Sequence, residues 1–207
     1  MKFELRKTLA IVILFCSLSI IVWGLMWMQF SFIVNESQIV ENLQAIFLMI
    51  GFIAHFYSYF RSDSDNYCIL FVGLSIFYLT FCVRELELDE SQTWIAFVTN
   101  PPVRNYWLIA AWAVSLLVFL RNMKSTFGSF LEWINNIHGL YLIFGGFFYV
   151  SADLFDKNVF SIRQDINLFI EEILEFNATI FMVLSAVLSL AWARKQVWWN
   201  SARHAFR

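Results

Sequence analysis

The chain has 207 residues, of which 60% are hydrophobic and 14% charged, with a net charge of −2. A soluble domain carries roughly 45–50% apolar and about 25% charged residues, so this composition excludes an ordinary soluble fold, a disordered chain and a nucleic-acid binder. With a mean hydropathy of +0.65, what remains is an integral membrane protein whose main partner is the lipid bilayer.

In chain order, uncharged apolar runs long enough to cross a bilayer predict six helices. They cover residues 9–30, 42–60, 66–84, 105–121, 132–152 and 171–193. No small-x-small cleavage site follows the first run, so it reads as an uncleaved helix. Asn100-Pro101-Pro102 breaks the chain before the fourth. The runs are too long and too uniformly apolar for barrel strands. The expected fold is therefore all-α: one transmembrane domain over 1–207, a six-helix bundle.

Lys and Arg set the orientation. With the N-terminus inside, ten of the 14 basic residues fall on the inner side; Arg84, Arg104, Lys157 and Arg163 fall outside. Both termini are then cytoplasmic, in a plasma membrane or a bacterial inner membrane. Trp23, Trp27, Trp107, Trp133, Trp192, Trp198 and Trp199 lie near helix ends, as an interfacial aromatic belt requires. The tail from Trp198 to Arg207 reads as a segment on the inner surface. Short inner connections are expected at Arg61–Asp65 and Arg121–Ser125. The two long outer connections, Leu86–Arg104 and Asp153–Ile170, carry apolar patches suited to the interface.

Twelve of the 16 acids fall on the outer side. Glu41, Glu171 and Glu172 open helices, where the dipole favours a carboxylate. Glu85 and Asp153 close helices, where it does not, and Arg84 adjoins Glu85. Charged groups at a membrane edge point to a site. Helical spacing places Glu41, Gln44, Leu48, Gly51 and His55 on one face, and Ser75, Tyr78, Cys82 and Glu85 on another. Glu171, Glu175, Ala178, Met182, Ser185 and Ser189 form a third face; His138, Tyr141 and Gly145 form a fourth. Small and polar faces mark helix contacts in membranes, so all four are expected to face the interior. The fourth helix has no internal charge and is expected at the periphery.

The expected binding site is thus an outer cluster of Glu41, Arg84, Glu85, Asp153, Glu171, Glu172 and Glu175. It suits a cation, including a divalent one, or a lipid headgroup. One alternative is an enzyme acting on a lipid or lipid-linked substrate by carboxylate acid/base chemistry. Another is an accessory subunit that works only with other membrane subunits, its contact surface being Ala111–Ser115. His55 and His138 could ligate a haem iron; a buried hydrogen-bonded pair is the reading preferred here. The Glu171-Glu172 pair has Glu175 where paired-glutamate membrane proteases carry arginine, and no metalloprotease, phosphate-loop or nucleotide motif occurs.

Overall fold

The computed structural model describes residues 13, 19, 37–62, 64–85, 101–157, 159 and 163–205. Six helices make up the described chain: α1 Ser37–Phe60, α2 Asp65–Glu85, α3 Pro101–Arg121, α4 Met123–Ile134, α5 Ile137–Asp156 and α6 Gln164–Ala205. All except α4 are long and apolar enough to cross a membrane. The expected first span lies outside the described residues, apart from Ile13 and Ser19, both helical. Ser19 donates its hydroxyl to Asn177 Oδ1 on α6 at 2.7 Å.

Helix ends follow local chemistry. Pro101 begins α3 four residues earlier than the uncharged run implies, because proline is tolerated in a first helical turn, where its missing N–H has no partner to lose. The expected short connection after Arg121 is instead the start of a 12-residue helix. Asn122 ends α3, donating its amide to the Val118 carbonyl at 3.1 Å. Asn135 and Asn136 then end α4, donating to the Leu131 and Glu132 carbonyls at 2.8 and 2.7 Å. The fifth apolar run therefore divides: Glu132 and Trp133 belong to α4, and the spanning helix begins at Ile137. The tail is not a separate element, since α6 continues unbroken to Ala205.

The bundle is built on α1, α2, α5 and α6, with α5 packed along α6 and α1 lying between α2 and α6. The four small or polar faces all turn inward. Gln44, Leu48 and His55 are buried on α1, Ser75, Tyr78 and Cys82 on α2, His138 and Tyr141 on α5, and Ala178, Met182, Ser185 and Ser189 on α6. Close approach depends on missing side chains. Gly145 leaves room for Met182, whose Cγ would lie 2.7 Å from a Cβ there. Helix α3 is peripheral as expected, with no buried residue in its apolar window. Trp133 corrects the aromatic-belt reading. It is fully buried, donates Nε1–H to Ser189 Oγ at 3.0 Å, and belongs to the core with Leu70, Phe71 and Leu74.

Candidate functional site

The last turn of α2 carries Val83, Arg84 and Glu85 to one end of the bundle. A carboxylate is disfavoured at a helix C-terminus, so Glu85 needs compensation. It receives two bonds: Arg84 Nε lies 3.1 Å from Glu85 Oε1, and the Tyr149 hydroxyl of α5 donates to the same oxygen at 3.2 Å. Arg104, from the first turn of α3, adds a 3.4 Å bond to the Val83 carbonyl and places a cation at this helix end.

Arg84 ties the helices together. Its Nη2 forms an ion pair with Glu175 of α6, and its guanidinium stands 5.2 Å from the Tyr149 ring centre. Both carboxyl partners are buried, whereas the Arg84 side chain is 50% exposed. The arginine thus covers a buried carboxylate pair from its exposed side.

Arg84, Glu85 and Glu175 are in direct contact. Glu172 is within electrostatic reach of Glu41, Glu85, Glu171 and Glu175. Glu171 is likewise within reach of Arg84, Asp153, Asp156 and Glu175. The Oε2 atoms of Glu171 and Glu172 are buried without a hydrogen-bond partner. Asp153 stands apart. It is exposed and forms an ion pair with Lys157 one turn along α5, acting on the cluster through its field alone. Tyr149, Arg104 and Asp156 are additional members that sequence reasoning missed. Tyr149 had a signal, for it is one turn beyond Gly145 on the face that includes His138 and Tyr141.

Among the described residues, no group of three or more His, Cys, Asp or Glu is arranged to hold a metal ion. The histidine pair does not fit a haem. Trp133 makes ring contacts with His55 at 6.2 Å and with His138 at 5.1 Å, and Tyr78 lies 4.9 Å from His55, so indole and phenol occupy the space a porphyrin needs. The expected hydrogen-bonded pair is not formed either, because both ring nitrogens of His55 are without partners. Among the described residues, the acidic end holds more carboxyls than cations, in a partly dry setting where like charges disfavour full ionisation.

No family model matches the chain, and neither does any curated protein or solved structure.

Proposed function

We propose that this multi-pass membrane protein takes up a cation at an outward-facing carboxylate–arginine site, and that the cation is a proton. The observation that carries this reading is the pair of buried, unpartnered oxygens on Glu171 and Glu172 beside a guanidinium already committed to Glu85 and Glu175. A metal ion would want several oxygens converging at fixed distances. A proton needs only one carboxyl oxygen. A lipid ammonium headgroup would meet the same acids, but it is bulkier than a proton and would also meet the Arg84 guanidinium, which acts on Glu171. The acid/base enzyme reading would use Glu85 and Glu175 as the working pair, yet Arg84 holds both, so neither is free to act as a base.

Carbodiimide labelling tests the proposal, because the reagent attacks protonated carboxyls in apolar surroundings. In lipid vesicles, Glu171 or Glu172 should be labelled, with labelling falling as pH rises and insensitive to Na⁺, Ca²⁺ or Mg²⁺. Suppression by one of those ions would replace the proton with that ion. Absence of labelling at every pH would overturn the site and leave the accessory-subunit reading in front.

A further inference from the structure

Beneath the Arg84–Glu175 layer, buried polar side chains continue through the bundle to its opposite end. Gln44 and His55 on α1, and Thr179 and Ser185 on α6, are fully buried, and none of their side-chain nitrogen or oxygen atoms has a hydrogen-bond partner. His138 on α5 is buried with its Nε2 unpartnered. A neutral imidazole always carries one N–H donor and one bare acceptor nitrogen. His55 therefore presents one of each to the interior with nothing to receive them. Buried polar groups are normally satisfied, and helix contact in a membrane uses polar residues in bonded pairs. Gln44, His55 and His138 place such unpartnered atoms on two helices of one interior.

Most of these groups fall in two clusters, one near each end of the bundle interior. The Thr179 hydroxyl lies beside the Tyr149 phenol, short of hydrogen-bond geometry, and Tyr149 donates to Glu85. Deeper, Ser185 lies beside the Tyr78 phenol, which donates instead to the Met182 carbonyl at 2.5 Å. The Tyr78 ring is 4.9 Å from His55, and His55 is within electrostatic reach of His138. His138 is the second residue of α5, one turn from the exposed Asn135 at the opposite end. From Gln44 to His55 the helix rises about 16 Å, half of a hydrocarbon layer about 30 Å thick.

We propose that these clusters, bridged by internal waters at their orphan groups, conduct protons between the carboxylate site and the far end of the bundle. The proposal rests on the proton reading of that site. At each relay group a lone pair accepts a proton from one side, and the group releases a proton to the other. One positive charge crosses per event, and every group then reorients to its starting state. Buried polar atoms with few partners are where such waters sit.

The test uses the full chain in vesicles that enclose a pH-sensitive dye, with a potassium gradient and valinomycin supplying the driving potential and the balancing charge. The wild type should change the lumenal pH faster than protein-free vesicles. His55→Gln and Ser185→Ala, two near-isosteric changes on different helices, should each slow it about tenfold or more, the scale of losing one positioned proton-transfer group. Carbodiimide labelling at Glu171 or Glu172 should persist in both variants, showing an intact fold and site. If the wild type is no faster than empty vesicles while labelling persists, the path is wrong and the carboxylate site stands. The path also fails if His55→Gln, His138→Gln and Ser185→Ala all conduct at the wild-type rate. Loss of labelling in the wild type sinks the parent reading instead.

Discussion

The ring of Tyr78 lies where residue 51 would place a side chain: a Cβ on Gly51 would collide with the Cδ1 and Cε1 atoms of that ring. The ring cannot swing aside freely, because Tyr78 is fully buried and its hydroxyl is bound to Met182 on α6. Glycine at this position thus sets how closely α1 approaches α2. Gly51→Ala should destabilise the protein by about 1–3 kcal/mol, the usual cost of overpacking a tight contact. Unfolding in mixed micelles measures it. In a Tyr78→Leu background the same change should cost less, and equal costs in both backgrounds would show that the two residues are not coupled.

Arg84 is the charge that makes the Glu85–Glu175 pair tolerable. Arg84→Ala should cost about 1–3 kcal/mol, below the full figure for breaking a buried pair because the arginine is half exposed. Adding Glu175→Gln to that variant should restore part of the loss by removing the orphaned charge. A double variant less stable than Arg84→Ala alone would show that Glu175 is held by something other than this ion pair.

The ten-to-four distribution of Lys and Arg predicts both termini in the cytoplasm. A reporter that works only outside the membrane should be silent when fused after Arg207 and active when inserted within residues 86–100. The reverse pattern would place the carboxylate site on the cytoplasmic side.

The purified protein should show no Soret band, since Trp133 fills the space around His55 and His138. A band that disappears in both His55→Ala and His138→Ala would mean that the indole moves away to admit a porphyrin.

Helical periodicity made the four interior faces legible, because spacing fixes which side chains share a face whatever the helix packs against. It carried less about partners across helices. Arg84 and Glu175 are 91 positions apart, and nothing local to either names the other. Trp133 was misplaced for a physical reason: a tryptophan at a helix end looks the same whether it anchors in headgroups or plugs a core. Only the neighbouring Ser189, remote in sequence, decides between them. Hydropathy also merged α4 with α5, since Trp133 and Ile134 continue the apolar run across the Asn135-Asn136 break. The backbone follows the asparagine caps rather than the run. Conversely, hydropathy cut the sixth helix short at charged residues that an α-helix accepts readily.

The 42-residue length of α6 has a consequence for the kind of bilayer this protein fits. From Glu175, pinned to Arg84, to Arg194 the helix rises about 28 Å, close to a hydrocarbon thickness of about 30 Å. Buried charge at one mark and exposed charge at the other act as a ruler. A markedly thicker bilayer would draw Arg194 into hydrocarbon, and a thinner one would leave apolar turns in water. Tilt offers limited relief while Arg84 holds α6 in register with α2. Hydrophobic mismatch should therefore be unusually costly here, favouring membranes of that thickness over thicker or thinner ones.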